Sequence, residues 1–240
     1  MIVDDRADAL VLIEQEAHAQ LTGELAARLP LRLPHHAAFV AAARIHDNGW
    51  READRAATVD EQGRPHTFST VPDDAYEDLW RRGIDRAAAV DPLVGLLVGL
   101  HGARFFGSRG SDGMRRLVAE ERRRQDRVLA ELDLGGRWDD LPAEVADASD
   151  WIAMLDALSL LACGAPLPDR LPTRVGGATY TLTRSEGTVT IDPWPYAGGD
   201  EAFSVTARRV APGPYDSHQR LRSAIDGADP VEVPVRVAPA

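Results

Sequence analysis

The chain contains no lysine; all 27 of its basic side chains are arginine, set against 38 acids, for a formal net charge of −11 and a sequence pI near 5.1. That balance argues against a basic, phosphate-tracking surface and so against general nucleic-acid binding. The exclusive use of arginine is ascribed to codon bias in a GC-rich genome and carries no function. Cysteine is scarce as well: Cys163 stands alone in the apolar run Leu160-Leu161-Ala162-Cys163. It has no partner for an intramolecular disulfide, so it reads as a buried small hydrophobe in a protein of a reducing compartment. Long hydrophobic runs are also missing. The longest, residues 93–100 and 158–165, fall well short of the roughly twenty residues of a membrane span. The first residues include Asp4 and Asp5 where a secretory signal places positive charge, so no export and a cytoplasmic, soluble protein are expected. What the chain does have is 44% hydrophobic residues, ample for a packed core and inconsistent with disorder.

The order of the segments is mainly helical. Residues 9–13 form a short apolar run, read as a strand or an extended lead-in. Helices are predicted over 14–29, ending before Pro30, and over 35–47, stopping at Asn48-Gly49. Residues 50–69 read as a long loop, which by its length invites a functional role. Further helices are predicted over 73–90, over 92–101 with Gly102 as its cap, over the highly charged 111–132, and over 142–164. Past Pro172 short β-rich runs take over, at 180–183, 189–191, 203–206 and 231–233. The expected architecture is therefore mainly α, a helical domain over 1–171 followed by a small antiparallel β subdomain over 172–240. The opening strand is free to pair with that sheet and unite the two ends.

The ionisable residues that stand out are few. Asp156 is the one ionisable group in the run Trp151-Ile152-Ala153-Met154-Leu155-Asp156-Ala157-Leu158-Ser159-Leu160-Leu161. A buried carboxylate without a partner costs several kcal/mol, so a metal ion, an arginine such as Arg44 or a helix N-terminus must compensate it. His18 falls in the first helix, His46-Asp47 at the end of the second and His101 at the end of the apolar one. These positions are too far apart for a zinc-finger-like motif. A shared site would draw its ligands from four helices, as metal centres in helical bundles do. His66 lies in the long loop, His35-His36 read as an exposed pair, and His218 falls in a polar segment.

The order His18, His46-Asp47, His101 with His66 as a further candidate, then Asp156 resembles the ligand order of the HD-domain metal-dependent phosphohydrolases. That resemblance implies an HD-like helical bundle. A closer resemblance, to an uncharacterised bacterial family catalogued as domain of unknown function 3891, rests on several stretches. They are residues 13–23, His46-Asp47-Asn48-Gly49-Trp50 with Asp54, Gly63-Arg64-Pro65 with Phe68, residues 96–102, Asp156-Ala157-Leu158-Ser159-Leu160 and Asp192-Pro193-Trp194-Pro195. Where that family has a proline after the Asp54 region, this chain has Ala56-Ala57-Thr58. The family brings no established activity.

Imidazole and carboxylate donors without nearby thiolate suit Mn, Fe, Zn, Co or Ni, as one ion or two. The expected metal ligands are His18, His46, Asp47, His101 and Asp156, with Asp47 touching every ion. A divalent ion lowers the pKa of a water toward 7 for attack on a phosphoester. Arg44, Arg51, Arg64 and Arg104 flank the ligands, and Arg64 is the favoured phosphate contact, with the 50–68 loop as the mouth of the pocket. The expected function is a metal-dependent hydrolase acting on a small phosphoester or nucleotide. The alternatives are a di-iron oxygenase of the same fold and a non-catalytic metal or ligand sensor. The expected partner is a small phosphorylated molecule, with homodimerisation left open, and neither nucleic acid nor membrane.

Overall fold

The computed structural model describes residues 1–106, 111–185 and 187–240. Among these, seven strands and eight α-helices are present. The chain opens with the hairpin β1 (Ile2–Arg6) and β2 (Ala9–Ile13) and then runs through α1 (Gln15–Arg28), α2 (His36–Ile45) and a short 3₁₀ turn, Asn48–Trp50. Next come α3 (Arg51–Arg55), α4 (Asp73–Val90), α5 (Pro92–Phe106), α6 (Asp112–Glu131) and α7 (Ala143–Ala162). The rest of the chain is β3 (Arg170–Val175), β4 (Ala178–Ser185), β5 (Thr188–Asp192), β6 (Glu201–Val210), α8 (His218–Asp226) and β7 (Pro230–Pro239). Among the described residues no helix is long and apolar enough to cross a membrane.

All seven strands join one sheet, in the order β1-β2-β6-β7-β5-β4-β3. Neighbours are antiparallel except β5 and β7, which run parallel. The sheet curls into a half-barrel, and this overturns the expectation of a mainly-α, HD-like bundle with a small antiparallel β subdomain at the C-terminus. The opening strand does pair with the later ones, Leu10 opposite Val210 and Leu12 opposite Arg208. The parallel pairing of β5 with β7 joins segments separated by a strand and a helix, and no local pattern announces such a pairing.

The five residues of β2 are buried on both faces. Val11 and Ile13 point into the large core shared with the helices, and Leu10 and Leu12 into a second cluster with Val59, Val210 and Leu221 of α8. A strand covered on both sides loses the alternation that marks a half-exposed one. The helices stack on the large-core face, where Leu182, Val189, Ile191, Val205 and Val237 meet Leu25, Leu155 and Leu158.

Three local details also differ from expectation. Helix α5 runs through Gly102 to Phe106. The stretch expected to be a structureless loop contains the 3₁₀ turn and α3. The polar segment around His218 is α8, started by Ser217, whose side chain accepts from the Arg220 N–H.

Candidate metal centre

Two close approaches bring the site helices together. A Cβ on Gly23 of α1 would lie 2.6 Å from the Cβ of Arg44, so glycine there lets α1 and α2 cross closely. A Cβ on Gly49 would lie 2.1 Å from the Leu79 carbonyl, so the turn after the His46-Asp47 pair presses onto α4 only because it is glycine. Arg86 of α4 clamps the same turn, donating to the Asn48 carbonyl and to Glu52.

At the convergence of α1, α2, α5 and α7 the structure places all five expected ligands, and all are buried: His18 0%, His46 1%, Asp47 6%, His101 1% and Asp156 5% exposed. Their ligand atoms fall into two triads, His18/His46/Asp47 and His46/His101/Asp156, within each of which the atoms lie within 4.8 Å of one another. Asp47 Oδ2 lies 2.9 Å from His18 Nε2 and 3.6 Å from His46 Nε2. Asp156 Oδ1 lies 3.3 Å from His46 Nε2, and its Oδ2 lies 3.5 Å from His101 Nε2.

The hydrogen bonds behind the candidate ligands fix which ring nitrogen faces inward. His46 Nδ1 lies 2.9 Å from the Ala43 carbonyl, which only accepts, so Nδ1 carries the hydrogen. In the neutral ring the lone pair is then on Nε2, which has no hydrogen-bond partner and faces both carboxylates. Ser159 Oγ donates to the Asp156 carbonyl at 2.9 Å. It therefore accepts from His18 Nδ1, also at 2.9 Å, and the His18 Nε2 lone pair turns toward Asp47. Lone pairs aimed at carboxylate oxygens repel unless a cation lies among them. That cation is either a proton on imidazole or a metal ion.

The titration behaviour expresses the same demand. For His46, burial opposes the charged ring, but the charge of Asp47, the close approach and charge of Asp156 and the Ala43 hydrogen bond outweigh it and raise the pKa to about 9. For Asp47, burial favours the neutral acid, yet the three histidines overcome it and lower the pKa to about 2. Asp156 is shifted downward for the same reasons. His101 goes the other way: burial dominates, Asp156 only partly offsets it, and the pKa falls to about 4.

Above the cluster lies a small chamber of about 70 Å³. Its floor is Asp47, His101 and Asp156 with Gln15, and its walls are Trp50, Phe68, Tyr76, Trp80, Phe105 and Leu160. The expected loop thus supplies Trp50 and Phe68 to the mouth. It does not bring the arginines. Arg64 pairs with half-buried Asp60, is 71% exposed itself, and lines a separate cavity of about 680 Å³ with Pro65, Pro212 and Pro214. Arg51 pairs with Glu16, and Arg104 with Ser149 and Asp150. Arg44 lies with Arg51 in another surface pocket. His66 contacts Thr58 through Nδ1 and does not join either triad.

Gln15 is a site residue for which sequence reasoning found no role. It is 2% exposed, its Nε2 donates to Asp47 Oδ2 at 2.9 Å, and its Oε1 is buried without a partner. Its position is fixed by Asp54 of α3, which accepts the Gln15 backbone N–H at 2.6 Å and so caps α1 from outside the helix. The spacing of Gln15, His18 and Thr22 on one face of α1 is the signal that could have found it.

A family model described as protein of unknown function (DUF3891) matches residues 1–211. Comparison with curated proteins and with solved structures gave no match.

Proposed function

We propose that this chain, which belongs to the DUF3891 family, is a metal-dependent hydrolase of phosphoesters whose centre is held by His18, His46, Asp47, His101 and Asp156. The observation that carries this reading is the orphaned, inward-facing Nε2 of His46 between two buried carboxylates. Neutral imidazole and carboxylate form a donor set suited to Mn, Fe, Zn, Co or Ni. Because Nδ1 of His46 is engaged by Ala43, the ring offers one nitrogen and serves one ion; a second ion would rest on His101 and the carboxylates.

A bound divalent ion supplies Lewis acidity, lowering the pKa of a water toward 7 and drawing in phosphoryl oxygens. The chain does the rest. Asp47 and Asp156 supply the negative charge that holds the cation in a buried place. Ser159 and Ala43 hold two imidazoles with their lone pairs inward. Gln15 Oε1 is left free to accept a hydrogen from a bound ligand at the chamber floor. In the net reaction the water oxygen bonds to phosphorus, the ester P–O bond breaks, and the alcohol leaves with a proton from that water. The HD-like order of the ligands supports the same chemistry, carried here on a frame that includes a large sheet.

The test is elemental analysis of protein purified without chelator, followed by hydrolysis of bis(p-nitrophenyl) phosphate after loading with each of the five metals. Metal-dependent turnover lost in Asp47→Asn is the expected result. Failure to bind any of these ions overturns the reading. The sheltered, largely apolar chamber also suits an iron-bearing oxygenase, which would declare itself by a visible absorption band in the iron-loaded protein and oxygen uptake.

A further inference from the structure

The chamber over the metal centre has a composition that bears on what it admits. Five of its lining side chains are aromatic, and none of the described residues lining it is an arginine. Tyr76 packs edge-on to both Trp50 and Trp80, with ring centroids 6.0 and 6.1 Å apart. Phe105 stacks on Trp80 at an interplanar angle of 22° and meets the His101 ring at 5.2 Å. A wall of this kind favours a flat apolar group through offset and edge-to-face contacts, and it offers a free anionic tail nothing in exchange for its hydration. Among the described residues that line the chamber, Gln15 offers a buried acceptor, Oε1, without a hydrogen-bond partner. With Nε2 held by the Asp47 carboxylate the amide cannot flip, since its oxygen would then face another oxygen. A buried acceptor left unpaired is costly, so a ligand that brings a donor to it gains what the free protein lacks.

We infer that the group of the substrate lying in this chamber is an uncharged aryl or heteroaryl ring bearing an N–H or O–H donor for Gln15 Oε1, while its phosphoryl end meets the metal centre. The inference deepens the hydrolase reading and rests on it for the phosphoryl half. The chamber half stands on the aromatic walls and the orphaned amide oxygen. The small volume limits the occupant to one ring without bulky substituents. The acidic surface and the pairing of Arg51, Arg64 and Arg104 with other groups leave the metal centre itself as the place for negative charge.

The experiment measures binding, which does not depend on turnover. Metal-loaded protein is titrated calorimetrically with phenylphosphonate, 3-aminophenylphosphonate and methylphosphonate, three non-hydrolysable probes that differ only in what they place in the chamber. Phenylphosphonate is expected to bind about tenfold tighter than methylphosphonate, the scale of one aromatic contact. The amino probe is expected to bind tighter than phenylphosphonate by a further several-fold. Phe105→Leu removes an exposed-side wall and is expected to erase most of the phenyl preference with metal content unchanged. Gln15→Met is expected to erase the amino preference alone. A phenyl-to-methyl ratio near one, or no binding of phenylphosphonate, overturns the inference, whatever becomes of catalysis. Selective phenyl binding by a protein that hydrolyses no phosphoester keeps the chamber assignment and overturns the hydrolase reading.

Discussion

The buried cluster predicts an unusual dependence of stability on pH in the metal-free protein, and His46 is the group that decides it. Its pKa is raised from an ordinary 6.5 to about 9 by Asp47 and Asp156 despite burial. Between those two values the folded protein holds a proton that the unfolded chain has released. The slope of the unfolding free energy with pH is proportional to protons bound in the unfolded state minus those bound in the native state, so it is negative here. The stabilisation is fully present below pH 6.5 and is lost as pH rises toward 9. Integrating over pH 6.5 to 8.5 gives a loss of about 2 kcal/mol, with under about 1 kcal/mol remaining to be lost above it. The other shifted cluster groups act outside this interval. Asp47, lowered to about 2, contributes stability that disappears only as pH falls from its ordinary 3.8 through that value. His101, lowered to about 4, makes the protein less stable as pH falls below 6.5, where the unfolded histidine takes up a proton and the buried one does not. The metal-free protein should therefore be most stable close to pH 6.5.

The assay is urea denaturation of chelator-treated protein across pH 6–8.5, repeated after metal loading. A cation replacing the His46 proton reverses the trend, because binding must release that proton. Apparent metal affinity should rise by up to tenfold per pH unit in the same interval. Asp156→Asn, which removes one of the two charges facing His46, should flatten the metal-free slope. A metal-free stability that is flat or rises from pH 6.5 to 8.5 would refute the argument that the inward-facing nitrogen needs a cation.

Three further outcomes follow from the contacts. Asp47→Ala should abolish metal retention, since Asp47 touches His18, His46 and Gln15, whereas His66→Ala should retain it, because His66 contacts Thr58 away from both triads; elemental analysis distinguishes them. Arg64→Ala should leave both metal content and phosphonate affinity unchanged by calorimetry, because the side chain pairs with Asp60 beside a different cavity; a weakened phosphonate would restore Arg64 to the site. Gly49→Ala should destabilise by about 2–3 kcal/mol in denaturant titration, as a Cβ there collides with the Leu79 carbonyl, while Gly198→Ala, with open space around it, should be silent.

The residues that converge in the buried cluster could be singled out from sequence because a charge in an apolar helix is a local anomaly. Asp156 announces itself by its neighbours alone, and His46-Asp47 by its place just before Asn48-Gly49. The sheet was harder to see. The run at 203–206 lies within β6 and the run at 231–233 at the start of β7, strands which each extend to ten residues through arginines, prolines and alanines that carry little strand signal. β1 and β2 were weak for opposite reasons, one being half charged and the other buried on both faces. The pairing that turns these pieces into one half-barrel joins the two ends of the chain, and only tertiary contact specifies it.

Arginine proximity in sequence misled for a related reason. Arg51, Arg64 and Arg104 are near candidate ligands along the chain, but each has a carboxylate close by that satisfies it at lower desolvation cost than the centre would. In an acidic protein arginines are spoken for locally. The aromatic residues are the converse case. Trp50 and Phe68 belong to the loop expected at the pocket mouth, whereas Tyr76 and Trp80 of α4 and Phe105 of α5 each read alone as core. Their meaning depends on α4 and α5 packing side by side over the turn at Gly49, so that the side chains which close the core also form the walls of the chamber.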